Sequence, residues 1–291
     1  MTERQPTLFD LRGEIDRLDD RLMEILVDRA RLVDKIGSLK GADGGPVLRP
    51  GREAEILRRL LVRAQGALDG AAVTRIWREI VSAAVRQQGP FTVGASMPDD
   101  GASCWVLARD HYGAAVPIVA LPGPAQVAGA VAAGSVTVGV VPYPVSEDPE
   151  PWWTRLLSDS APRIIAQLPA AEGLAPALGC TQAVALAMMA PEPSGEDRSL
   201  IAFESNDGLG RARLREVLER LGLPVRATWS HAWAGREASG GTLAEVEGFV
   251  PADGPVLGEL KAILGAEVLR IAVIGAYAVP PRVGPGGEGA R

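Results

Sequence analysis

Three cations, Arg12, Arg29 and Lys40, fall within a stretch whose apolar residues recur at helical spacing. Arg29 and Lys40 are eleven residues apart, close to three turns at about 3.6 residues per turn, so both point the same way along one helix face. Arg12 lies seventeen residues before Arg29, a rotation of roughly 100° from that line, and serves a different surface. Arg29 occupies the one gap in the apolar series. A guanidinium on an apolar line costs several kcal/mol unless an anion compensates it. The chemistry this pattern offers is the binding of an anion in a half-dry site. The alternative is a set of snorkelling side chains with their heads in water, the common fate of arginines on helices.

The element that must position these cations runs from Leu8 to Lys40. Leu11, Ile15, Leu18, Leu22, Ile25, Leu32, Ile36 and Leu39 alternate at spacings of four and three, the seam of an amphipathic helix. At about 1.5 Å per residue it is about 50 Å long, longer than a small domain is wide. Much of the seam therefore needs another long helix or a second chain to cover it. The loop Gly41 to Pro46 is expected to stop this helix. Helical periodicity resumes over Val47 to Gly66 through Ile56, Leu57, Leu60 and Leu61. A third helix is expected over Ala71 to Gln88, with Val73, Ile76, Trp77, Ile80, Val81 and Ala84 on one side.

Several charged positions in this segment agree in order with a known pattern: Leu8-x-x-Leu11-Arg12, then Arg29, then Gly37-x-x-Lys40, the pair Arg52-Glu53 opening the second helix, and Gln88 ending the third. The first ninety residues thereby resemble the all-helical, AroQ-type chorismate mutases, whose members form an intertwined homodimer of three-helix protomers. The resemblance implies that Arg12, Arg29 and Arg52 bind substrate, with Arg12 delivered into the partner protomer's site. It further implies that Lys40 contacts the ether oxygen, that Glu53 accepts from the ring hydroxyl, and that Gln88 acts beside Lys40 as a catalytic donor. Two positions depart from the family: Arg49 stands where an acidic residue is usual, and Ala84 where a serine is.

The implied reaction asks for these residue types. Chorismate is a dicarboxylate, and its rearrangement to prephenate is an intramolecular pericyclic step that needs no nucleophile, metal or cofactor. Arginines bind carboxylates through two parallel hydrogen bonds and hold the compact conformer. Lys40 and Gln88 would donate to an oxygen that is more negative in the transition state than in the ground state.

The chain has 291 residues, 47% hydrophobic and 23% charged, with a net charge of −6, ordinary values for a globular protein of two or three domains. Nothing in this balance points to nucleic acid, and the Gly- and Pro-broken apolar runs do not read as a membrane span. Met1 to Pro6 has no apolar core of a targeting signal, so the cytoplasm is the expected compartment. Cys104 and Cys180 are far apart without ligand spacing and are expected to be reduced thiols. With His111 and His231 the only imidazoles, no metal site is expected.

From Gly89 the composition shifts to Gly, Pro, Ala and Val. Phe91 to Ala95, Val116 to Leu121, Val136 to Tyr143 and Arg163 to Leu168 read as short buried strands, with a helix over Pro122 to Gly134. The run AGAVAAGSVTVGVVPY (residues 128–143) resembles one lobe of a prephenate dehydratase, a family often fused behind a chorismate mutase. Pro144, Val145 and Ser146 replace that family's Glu-Asn-Ser. The nearest match to its catalytic Thr-Arg-Phe is Asp197, Arg198 and Ser199. The segment is about half the length that two lobes need, so dehydratase activity is expected to be lost.

Residues 199–277 follow the βαββαβ order of a ferredoxin-like unit, closing in a Val-Ile-Gly-Ala-Tyr that resembles an ACT regulatory domain. Its effector motifs have drifted to Gly208-Leu209-Gly210 and Trp229-Ser230-His231-Ala232, so a dimerisation role is expected over amino-acid sensing. Trp229, His231 and Trp233 read as alternate residues on one strand face. The expected architecture is multidomain: an all-α chorismate mutase domain (1–89), a truncated dehydratase-like α/β lobe (90–196), an ACT-like α+β domain (197–282) and a disordered tail (283–291). The expected function is chorismate mutase, with chorismate and prephenate as ligands. The alternatives are a bifunctional mutase/dehydratase or a non-catalytic regulator or scaffold of aromatic amino-acid synthesis.

Overall fold

The computed structural model describes residues 6–43, 47–64, 67–99, 103–146, 148, 150–174, 176, 179–205, 209–232 and 240–283, without the side chains of residues 40–43. Trp233, Gly208 and most of the Gly-rich tail lie outside the described residues. Helix α1 (Leu8–Asp43) is 36 residues long. Thr7 opens it: the Asp10 amide donates to Thr7 Oγ1 at 3.2 Å while the Asp10 carboxylate accepts from the Thr7 amide at 2.9 Å, a reciprocal cap. The helix runs three residues past Lys40, into the segment expected to be loop, because Gly41, Ala42 and Asp43 include no proline to remove a helical N–H. Helix α2 (Pro50–Ala64) begins on a proline, whose missing N–H costs nothing there. Helix α3 (Gly70–Gln88) follows.

By contacts the chain groups into two compact units, residues 1–47 with 83–90 and residues 48–82 with 91–291. In the first, the end of α3 lies against α1, where Gln87 Nε2 donates to Asp34 Oδ1 at 2.5 Å and to the Ala30 carbonyl at 3.3 Å. The eight apolar residues of the α1 seam are each between 43% and 70% exposed, so a single chain leaves this seam uncovered.

The second unit is built on one nine-stranded sheet, with α2 and α3 up to Ser82 grouped with it. Its strands are β1 (Val93–Ser96), β2 (Ile118–Leu121), β3 (Val138–Pro142), β4 (Arg163–Leu168), β5 (Ala183–Ala187), β6 (Asp197–Ser205), β7 (Val225–Ala232), β8 (Gly240–Glu247) and β9 (Val268–Ala278), in the order β2-β1-β3-β5-β4-β9-β6-β8-β7. Strands β2, β1 and β3 are parallel, and β5 returns antiparallel between β3 and β4. Helices α4 (Trp105–Tyr112) and α5 (Pro124–Ala132) cross between the parallel strands. The last four strands are antiparallel in the order β9-β6-β8-β7, and α6 (Arg211–Arg220) and α7 (Pro255–Leu264) complete the ferredoxin-like βαββαβ unit.

The α/β lobe and the ferredoxin-like unit therefore share one sheet, joined where β4 pairs in parallel with β9 at Ile164 and Gly275. One core gathers Val127, Val131, Trp152, Trp153, Leu156, Ile164, Leu200 and Tyr277. The other fills the space under α6 and α7 with Phe203, Leu214, Leu218, Leu260 and Val273. A Cβ on Gly275 would fall on the backbone of Ile164, and backbone cannot swing aside as a side chain can. Gly275→Ala is therefore expected to lower stability by about 1–3 kcal/mol, read as a drop in urea midpoint. An unchanged midpoint would show that the junction is looser than its geometry.

Candidate functional site

In the first unit, Arg29, Val33, Gly37 and Lys40 follow one another at helical steps of four, four and three, so these positions share one face of α1. Among the described side chains of that helix Val33 is the buried hydrophobe, and this face receives the end of α3. Gly37 makes the close approach possible: a Cβ built on it would stand 3.4 Å from Gln88 Cγ. Gln88 thus sits over the line that carries Arg29 before it and Lys40 after it. Its Nε2 donates to the Ala84 carbonyl at 3.0 Å, and its Oε1 is buried with no hydrogen-bond partner among the described residues. The final amide torsion of glutamine is soft, so rotating it turns the NH2 group toward the place the oxygen now faces. Arg29 is half-buried and Arg12 exposed, and neither pairs with a carboxylate among the described residues. The Lys40 side chain lies outside the described residues.

Arg52 and Glu53 belong to the second unit. Arg52 is exposed and paired with Glu55 at 2.8 Å one turn on, a surface contact worth little and easily exchanged for a ligand. Glu53 is held differently. Its Oε2 accepts from Arg78 Nη1 at 2.7 Å, with the two side chains 14% and 10% exposed, and Arg78 Nε donates to the His111 carbonyl at 2.6 Å. Burial, and then the charge of Arg78, keep the His111 imidazole well below its usual pKa and hence neutral. Glu53, Arg78 and His111 line a small cleft of about 40 Å3, room for roughly two or three waters.

Sequence reasoning missed Arg78. Its trace is there nonetheless: Thr74, Arg78 and Ser82 form a buried polar stripe at four-residue spacing on α3. The two departures from the family pattern also have local accounts. Arg49 pairs with Glu192 at 2.5 Å, and Arg58 donates to the carbonyls of Ser194, Glu196 and Val279, so α2 is pinned to loops of its own unit. Ala84 is buried, and its carbonyl holds Gln88.

Of the residues matched to the dehydratase motif, Asp197 and Ser199 are taken up in structural hydrogen bonds. Asp197 accepts from the Ser194 amide at 2.9 Å and from its hydroxyl at 2.6 Å. Ser199 Oγ donates to the Gly248 carbonyl and accepts from the Val250 amide. Arg198 lines a cavity of about 330 Å3 with Gln167, Glu172, Thr181 and Gln182. On β7, Trp229 is buried edge-on to Tyr143, and His231, two residues on, is half-buried. Among the described residues no cluster of three or more His, Cys, Asp or Glu could hold a metal, and no helix is long and apolar enough to cross a membrane.

Residues 11–89 match the family model of chorismate mutase type II. Over 143 residues the chain is 36% identical to a Pseudomonas aeruginosa protein named bifunctional chorismate mutase/prephenate dehydratase, an alignment covering 47% of this chain and 39% of that protein. The chain thus spans about two fifths of the length of this relative. Among solved structures, GqqA, described as a novel type of quorum quenching acylase, superposes with a TM-score of 0.47 at 14% identity, over 65% of this chain and 95% of that one. A prephenate dehydratase from Streptococcus mutans gives 0.46 at 16% identity, over 65% and 98%.

Proposed function

We propose that this chain is a cofactor-free chorismate mutase of the cytoplasm, working as a homodimer, with residues 1–89 carrying the activity and the dehydratase-like (90–196) and ACT-like (197–282) regions serving other ends. The observation that carries this reading is Gln88 packed over Gly37, on the α1 line that bears Arg29 and Lys40. In this reading Arg29 and Arg52 bind the two carboxylates of chorismate and hold its enolpyruvyl arm over the ring, which removes the entropy of finding the reactive conformer. Lys40 and the rotated Gln88 amide donate to the ether oxygen as the breaking carbon–oxygen bond leaves charge on it. Glu53, steadied by Arg78, keeps one carboxylate oxygen for the ring hydroxyl. Incubating the purified chain with chorismate should consume it and accumulate prephenate without phenylpyruvate. Unconsumed chorismate would favour a non-catalytic role, and phenylpyruvate a bifunctional enzyme.

The second protomer follows from the uncovered α1 seam. Each of these half-exposed leucines or isoleucines forgoes about 1 kcal/mol, roughly half the gain of full burial, and a second copy of α1 lying along the first offers a matching apolar line. Arg12, rotated from the Arg29 line, then reaches the partner's site. Leu22→Glu, a charge in mid-seam at a residue 55% exposed in the single chain, should turn the dimer into monomers by sedimentation and lower activity roughly tenfold or more at assay concentrations. A variant that stays dimeric would move the interface off this helix.

A further inference from the structure

Cys104 and Cys180 are 76 residues apart in the chain, yet their sulfurs lie 3.0 Å from each other. Cys104 stands at the start of α4 and Cys180 leads into β5. Backbone on both sides sets the approach. The Cys180 amide donates to the Ser103 carbonyl at 3.0 Å, and the Cys104 amide to the Ser96 carbonyl at 2.8 Å. Gly179, at φ +83°, leaves no room for a Cβ against the Ser103 oxygen. The sulfurs therefore face each other because two loops are stitched together. A covalent link at about 2.05 Å asks them to close by about 1 Å. Both side chains are buried, Cys104 fully and Cys180 at 4% exposure, so only a small reagent reaches them.

We propose that Cys104 and Cys180 form a reversible redox pair, oxidised by a small hydroperoxide to an intramolecular disulfide that fastens α4 to the lead-in of β5. Either thiol can donate to the other across that gap, and the contact holds the Cys180 thiol below its usual pKa while contact and burial raise that of Cys104. Cys180 is also the one of the two that keeps some exposed surface, 4% against none for Cys104, and it is the attacking sulfur. As its thiolate it attacks one peroxide oxygen: a sulfur–oxygen bond forms, the oxygen–oxygen bond breaks, and the departing alkoxide or hydroxide takes the proton Cys180 gave up. Cys104 then attacks the sulfenic acid sulfur. The sulfur–sulfur bond forms, the sulfur–oxygen bond breaks, and the released hydroxide leaves as water with the Cys104 proton. Two thiols and one hydroperoxide give one disulfide, one water and one alcohol or second water. Thr181 and Gln182 directly follow Cys180 and line the cavity they share with Gln167 and Arg198, so oxidation fixes one wall of that cavity.

The test uses the full reduced chain, treated with hydrogen peroxide, alkylated under denaturing conditions and digested for mass spectrometry. A Cys104–Cys180 cross-linked peptide pair is expected, lighter than the two thiol peptides by two hydrogens and returned to two alkylated thiols by dithiothreitol. It should form roughly tenfold or more faster in the folded chain than in urea, where the ends of a long loop must first meet. Two singly alkylated cysteines, over-oxidised Cys180 without a cross-link, or a link between two chains would overturn the proposal. In Cys104→Ala, Cys180 should stop at a sulfenic acid that dimedone traps, and an unreactive Cys180 there would overturn its role as the attacking sulfur.

Discussion

Lys40→Ala should lower chorismate turnover by about 10²- to 10³-fold, the usual effect of removing one donor aimed at a developing oxyanion. Position 40 falls on the α1 face that α3 approaches at Gly37, and the ether oxygen becomes strongly negative only as its bond to carbon breaks. The loss should therefore fall on kcat more than on KM, because a contact made chiefly in the transition state contributes little to ground-state binding. Alanine is the better helix former, so helical circular dichroism and sedimentation should match the parent chain. A kcat within a few-fold of the parent would remove Lys40 from the proposed mechanism while leaving the proposed carboxylate-binding role of the arginines in place.

Arg78→Met should destabilise the second unit by about 3–5 kcal/mol, the range for breaking a buried ion pair from one side. The substitution leaves the Glu53 carboxylate, only 14% exposed, without its cation, and takes the donor from the His111 carbonyl. Adding Glu53→Gln should recover part of that loss, because an uncharged amide needs no counter-ion. Equal stability of the single and double variants would show that the pair is solvated in solution. His111 adds a pH signature. Its folded pKa is depressed, mainly by burial and then by Arg78, so the unfolded chain takes a proton that the folded chain refuses. This contribution is whole above the unfolded histidine pKa of about 6.5 and is lost as pH falls below that value toward the native one. Urea midpoints of the parent should therefore fall between about pH 7 and pH 5, and a flat profile there would show His111 free to take a proton in the folded chain.

Much of this was legible without coordinates. A seam at alternating fours and threes specifies α1, since no other regular structure would gather those residues on one side. Strand β4 runs from Arg163 to Leu168, the span its β-branched, apolar sequence indicates. The closing βαββαβ rhythm was readable because each element there is long enough to carry its own period. Tertiary structure alone decided the rest. Helix α4 has eight residues, too few to be stable in isolation, and exists because Leu107, Ala108, His111 and Tyr112 are packed. Strand β5 is Ala-Val-Ala-Leu-Ala, which favours helix by propensity, and becomes a strand because β3 and β4 bond it on both sides. Glu53 meets Arg78 across 25 residues, and Cys104 meets Cys180 across 76. Spacing along a chain fixes which side chains share a face within one element, because helix and strand repeat. It is silent on which elements meet, and that is settled only when the whole core packs at once.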